Sequence, residues 1–197
     1  MMPPANWTPL HLHTHYSLLD GLSKPHQVAQ RCHELGYTSC AITDHGTISG
    51  CVSFFRAMNK RNIKPILGSE FYLTEDALTK DKDNRSLSHL VVLAKNKSGW
   101  KKLIEAISRS NDEDVYYFKP RLDLDLLANY CDGNLIAFSG HMGSDLANVL
   151  FRDYKKAYNS TTYEEAKSYL DAYWVNKASR LARKYSEIFG CDNFFIE

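Results

Sequence analysis

Two histidines spaced two apart, His11 and His13 in the run LHLHTH, are the first residues in this chain that suggest chemistry. Alternate side chains of a β-strand share a face, so this spacing sends both imidazoles to one side, where they can grip a single metal ion. Chance in a histidine-bearing edge strand is the bland alternative, and packing gives little reason for such a pair. Thr43-Asp44-His45-Gly46 closes a second apolar run, and Gly68-Ser69-Glu70 lies in a third. Adjacent Asp44 and His45 cannot both point inward from a regular strand, so His45 is read as a ligand and Asp44 as the partner that orients it. Glu70, taken alone, is equally well a solvated strand-end carboxylate. His141 follows LIAFSG at a strand end, whereas His89 opens HLVVLAK at a strand start. On its residues alone His89 is structural, because strand starts face the opposite rim from strand ends in a parallel sheet. Asp20, before Gly21, is either turn chemistry or a ligand. His15, His26 and His33 read as bystanders. Arg121, in KPRLD, either contacts phosphate or holds a loop through carbonyls.

The elements that must position these groups are short apolar runs alternating with helical patterns. Strands are expected at Thr8 to His13, Ser39 to Thr43, Ile63 to Leu73, His89 to Ala94 and Leu135 to Phe138. A first helix is expected after Ser23, Lys24 and Pro25, ending at Gly36, and a second covers Val52 to Met58. Ser98 is the expected cap of a helix carrying Leu103, Ile104 and Ile107. Further helix is expected from about Asp145 to Tyr158 and from about Tyr163 to Phe189, and Asn193 to Glu197 reads as the beginning of a buried strand. Strands separated by helices imply βα units and a parallel sheet, doubly wound or closed into a barrel. Ligand sites collect at the C-terminal ends of such strands, which brings these residues together. Thr74 to Ser88 is polar and charged and is expected to be an exposed excursion that adds nothing to the core. The ending on an apolar strand reads as a cut chain.

A length of 197 residues with 44% hydrophobic content favours one domain, residues 1–197. A net charge of +1 excludes a generally basic nucleic-acid binder, so any such contact is local. The five cysteines have no CxxC spacing, which argues against a disulfide framework or a cysteine zinc finger and fits a reducing cytoplasm. The start, MMPPANWTPL, lacks the pattern of an export signal, and no segment approaches membrane-spanning length.

Together, LHLHTHYSLLDG, AITDHGTISG, IKPILGSEFY, SHLVVLAKNKSGW, YFKPRLD, NLIAFSGHMG and FFIE resemble the PHP (polymerase and histidinol phosphatase) domain that opens the alpha subunit of bacterial DNA polymerase III. The resemblance implies an α/β fold of the distorted, TIM-like β/α barrel type, with its closing strands lying beyond this chain. It implies a centre for up to three metal ions: His11 and His13 on the first, Glu70 bridging to a second completed by His89 and His141, and Asp20 and His45 on a third. This makes His89 a ligand. The polymerase branch usually has cysteine where His141 stands, and the family's closing Asp-x-His motif lies past FFIE.

Imidazole and carboxylate donors suit zinc or manganese better than magnesium or calcium. The expected function is metal-dependent phosphoester hydrolysis of the exonuclease or phosphatase type, with His11, His13, Glu70 and Asp44 as the catalytic group and Arg121 toward phosphate. Expected partners are DNA or another phosphoester, the remaining polymerase domains, a proofreading subunit, and a second copy through an open sheet edge. The alternatives are a non-catalytic docking module of the polymerase and a stand-alone sugar-phosphate or histidinol-phosphate phosphatase.

Overall fold

The structure, a computed structural model, describes residues 7–82, 85–151 and 153–197. Most of the start discussed above, residues 1–6, lies outside the described residues, as do residues 83–84 of the expected excursion and residue 152 of an expected helix.

The first apolar run that forms a regular strand is β1, Ser39–Ile42. Residues 8–13 lie beside it in extended form: Pro9 O accepts from Ala41 N–H at 2.8 Å and Leu12 O from Thr43 N–H at 2.9 Å. The strand expected there is not completed. Pro9 has no N–H to give, and the Leu12 N–H goes to Thr43 Oγ1 at 2.8 Å, so the two-sided ladder is missing. The connection back to β1 is α1, Pro25–Glu34, with Pro25 in its first turn. Its N-cap is Lys24, not Ser23, and Gln27 Oε1 accepts the Lys24 N–H at 3.0 Å. α2, Cys51–Asn59, packs on α1, and Val28, Ala29, Cys32, Phe54 and Met58 form one core with Ile42 of β1. Full burial of Phe54 alone contributes roughly 1.5–3 kcal/mol.

β2, Lys64–Leu73, runs parallel to β1, with Ile42 opposite Leu67. β3, Ser88–Ala94, and β4, Leu135–Phe138, follow, then β5, Phe194–Phe195, in the order β1-β2-β3-β4-β5. The all-parallel expectation fails at one strand. β3 is antiparallel to both β2 and β4, while β4 and β5 are parallel. A parallel neighbour needs a crossover, usually helical. The connection 74–87 carries no α-helix among its described residues, so the chain returns along the same edge reversed. Nor is that connection purely an exposed excursion, because Ala77 is fully buried.

α3, Lys97–Ser110, is capped by Asn96, whose Oδ1 accepts from Gly99 N–H at 3.0 Å, and not by Ser98. α4, Leu124–Ala128, leads into β4. The two long helices expected afterwards are four: α5, Asp145–Leu150, α6, Tyr154–Tyr158, α7, Tyr163–Ser168, and α8, Trp174–Phe189. Ser144, Asp153 and Thr162 each accept an amide hydrogen bond from the first turn of the helix that follows; Ser144 and Thr162 cap the two expected starts, while Asp153 restarts a helix where an unbroken one was expected, as does the break before Trp174.

Successive β3 residues serve different faces. Leu90 and Val92 join Leu103, Ile107, Tyr185 and Phe189 in the larger core, while Val91 and Leu93 join Ala41 on the opposite face. The fold is α/β with an open sheet, and no pairing among the described residues joins β1 to β5. All five cysteines are free, and no helix among the described residues is long and apolar enough to cross a membrane.

Candidate metal centre

β2 continues past the end of β1, and residues 43–46 stay beside it: Glu70 N–H donates to Asp44 O at 3.1 Å and Gly46 N–H to Glu70 O at 2.8 Å. This bridges His45 to Glu70. His89 faces Tyr72 across the β2–β3 ladder. Because β3 is reversed, its first residue lies at the rim where β2 ends, so the objection to His89 as a site residue disappears. His141 follows β4 in a turn where Gly140 adopts φ +79° against the His89 carbonyl, a backbone that favours glycine.

These elements converge on the Glu70 carboxylate, which is fully buried. His45 Nδ1 stands 2.6 Å from it, His89 Nδ1 3.2 Å, His13 Nε2 3.3 Å, His141 Nε2 3.4 Å and His11 Nε2 3.5 Å. Close as they are, these groups are poorly aligned for hydrogen bonding. His11 Nε2, His45 Nδ1 and both Glu70 oxygens are buried with no well-oriented hydrogen-bond partner. Buried polar atoms are seldom left so, and cations shared between Glu70 and the rings on either side would satisfy all four. Three sets of potential ligand atoms lie within 4.8 Å of one another: His11, His13 and Glu70; His45, Glu70 and His89; and His13, Asp20 and His45. His45 therefore stands in two sets, where the resemblance implied one.

The outer ring atoms are held as well. His11 Nδ1 lies 2.8 Å from Glu197 Oε1 and His45 Nε2 3.1 Å from Asp20 Oδ2, the carboxylate–histidine arrangement that fixes a ligand's tautomer. His141 differs. Its Nδ1 accepts the Gly143 N–H at 3.0 Å, so the neutral ring carries its proton on Nε2, toward Glu70 and His89.

The electrostatics follow from one buried carboxylate among five imidazoles. Burial pushes Glu70 upward, but His11, His45 and His89 together hold it far below the usual carboxylate range. Burial lowers His11, yet Glu70 and Glu197 outweigh it and raise the ring to about 9. His45 is raised against its burial by Glu70 and Asp20. Burial and the neighbouring His45 lower His13, and burial with His89 lowers His141.

Two expected roles are corrected. Asp44 is buried and accepts from Thr14 N–H at 2.6 Å, Thr14 Oγ1 at 2.8 Å and Ser17 Oγ at 2.9 Å, so it orders the loop after His13 and does not face the cluster as a catalytic group. Arg121 is buried too, and it holds a loop. Its guanidinium donates to Val115 O at 3.0 Å, Ala77 O at 3.1 Å and Thr79 O at 2.8 Å. His26 and His33 are exposed on α1, and the His15 ring lies tilted against Tyr16, outside the ring around Glu70. Glu197 was missed. Its signal is an acidic residue just after the strand Phe194–Phe195, the same rim position as the other site residues.

Residues 9–197 match the PHP domain family. The chain belongs to that family. Among its relatives, the DNA polymerase III subunit alpha of Helicobacter pylori strain J99 is 37% identical over 191 residues, covering 97% of this chain and 15% of the relative. The subunit of Treponema pallidum is 33% identical over 199 residues, covering 100% and 15%. This PHP chain thus spans about 15% of the length of the curated relatives it matches. A solved structure of a candidate metal-dependent phosphoesterase from Bifidobacterium adolescentis overlays with TM-score 0.47 and 13% identity, covering 93% of this chain and 85% of that one.

Proposed function

We propose that this chain is the PHP module of a DNA polymerase III alpha-type subunit, acting with that polymerase in the cytoplasm, and that the Glu70 cluster is a zinc or manganese centre for phosphoester hydrolysis at a DNA end. The observation that carries the reading is the buried Glu70 carboxylate, both of whose oxygens lack a well-oriented hydrogen bond inside a ring of five histidines. His11, His13, His45, His89 and Glu70 would hold the ions, with Asp20 beside His45 and His141 joining by releasing the Gly143 amide. Such ions supply Lewis acidity and an activated water to phosphoester cleavage. The chain's own residues set the geometry: Glu197 and Asp20 orient two imidazoles, Glu70 offsets the cationic charge, and Asp44 fixes the loop that follows His13. The barrel reading of the fold belongs to the same proposal, supported by apolar residues on both faces of β3.

The test is metal content and hydrolysis together. The protein purified without chelator should retain or take up zinc or manganese, and replacing His11 and His13 together with alanine should abolish manganese-stimulated cleavage with the circular dichroism unchanged. Failure to take up either metal would sink the centre. Equal activity in the double variant would return a non-catalytic docking module to first place. One observation favours that second reading: Gly143 N–H donates to His141 Nδ1, which leaves the neutral ring's proton on Nε2, where a metal ligand must lose it.

A further inference from the structure

We propose that Lys119 is the anion anchor of this site, binding a substrate phosphate other than the one hydrolysed, so that the site selects single-stranded oligonucleotides over small phosphate esters. The inference rests on the phosphoesterase reading and deepens it.

A cleft of about 950 Å³ opens beside the cluster, with His45 and Tyr72 in its wall and Lys119 on its lining. Tyr72 links the two. Its ring stacks on His45 at 5.7 Å and meets His89 edge-on at 5.2 Å, while the Lys119 ammonium lies 4.4 Å from the centroid of that same ring. Lys119 Nζ donates to Tyr72 Oη at 2.9 Å. An ammonium has three protons, and no other acceptor among the described residues takes one from Lys119. A cation is thereby held one aromatic ring away from the groups that would carry out hydrolysis.

The loop that carries Lys119 is built to stay put. Phe118, next to it, adopts φ +61°, a conformation rare for a bulky side chain and kept only where the surroundings impose it. Arg121 ties the loop to the carbonyls of Val115, Ala77 and Thr79. Pro120 is seated on the turn that carries His45, so closely that a Cβ at Gly46 would come within 2.7 Å of Pro120 Cγ. The buried arginine therefore serves the anion through its neighbour. A single phosphate ester would fill one corner of this cleft. The His15 and Tyr16 rings, with centroids 4.4 Å apart and planes tilted at 51°, line the remainder and offer an aromatic face on which a base can lie.

Fluorescence anisotropy of a short labelled oligothymidine, in EDTA and over a range of salt, reads the anchor without catalysis. Lys119→Ala should weaken binding about tenfold, the size of one charge-assisted hydrogen bond. It should also flatten the slope of log affinity against log salt by about 0.7, one phosphate contact on a single strand. Lys119→Arg should restore most of the affinity, and Lys101→Ala, on the exposed side of α3, should match the parent. In manganese, the rise in KM of Lys119→Ala should be at least several-fold larger for oligothymidine than for bis(4-nitrophenyl) phosphate. Absence of parent binding, an unchanged affinity and slope in Lys119→Ala, or equal KM changes for the two substrates would overturn the anchor. If the parent cleaves neither substrate, the phosphoesterase reading fails, and the anisotropy in EDTA still decides Lys119.

Discussion

At the scale of single residues, Glu70 and His11 set the sign of the site's pH behaviour. His11 is raised from 6.5 to about 9, so in the metal-free protein its contribution to stability is fully present below 6.5 and is lost as pH rises through 9. Metal must displace that proton, so metal uptake strengthens over the same window. Urea midpoints at pH 6.5 and 9.5 should therefore show a His11 contribution that falls in EDTA, while the gain on adding zinc or manganese grows. A metal-induced gain that shrinks with pH would contradict the assignment. Glu197→Gln should lessen the EDTA decline, since it removes one of the two carboxylates that raise His11. Glu70→Gln should abolish metal retention and lower the unfolding free energy in EDTA at pH 7 by on the order of 3 kcal/mol, as for breaking a buried ion pair. Equilibrium denaturation and metal analysis check both effects. The convergence of His11, His13, His45 and Glu70 was legible because strand spacing and strand ends are local features. A supporting Asp44 and a loop-holding Arg121 were each among the readings, but residue type does not decide whether a carboxylate or guanidinium faces a cleft or a neighbouring loop.

At the scale of elements, caps and strand direction account for most departures from expectation. Asn96 and Ser98 are both plausible starts for α3 by residue type, and only Asn96 accepts the Gly99 amide. Asn96→Ala should cost about 1 kcal/mol in urea denaturation, whereas Ser98→Ala should stay within about 0.5 kcal/mol. Equal losses would mean that the helix begins elsewhere. The starts after Ser144 and Thr162 agree with the expected helices, whereas the restart at Asp153 and the break before Trp174 fall inside runs expected to be unbroken helix. The direction of β3 was not readable. HLVVLAK has the same pattern run either way, and what reverses it is the helix-free connection 74–87, a long-range outcome.

At the scale of the whole molecule, residues 8–13 lie along the β1 side of the sheet, and no strand among the described residues covers the β5 side. The β5 edge is the more exposed, with Phe195 46% and Ile196 71% accessible. Such an edge is a template for pairing with another chain. The chain should therefore show concentration-dependent self-association in sedimentation velocity, and Phe195→Lys should reduce it without altering the helical circular dichroism. A monomer at all concentrations would show that side chains on the edge already block it. The expected α/β class came through, because alternating apolar runs and helical periods are dense enough to define it. Closure into a barrel is a matter of long-range pairing, which no local pattern encodes.

The contact between His11 and Glu197 spans 186 positions. At ribosomal speeds of ~5–20 residues per second, about 10–40 seconds separate the synthesis of those two residues. During that interval His11 and His13 are already made while one of the groups that fixes their orientation does not yet exist. The centre therefore cannot take its full form until Glu197 has been made, and a metal ion met earlier would find a looser set of imidazoles and be bound in a different way.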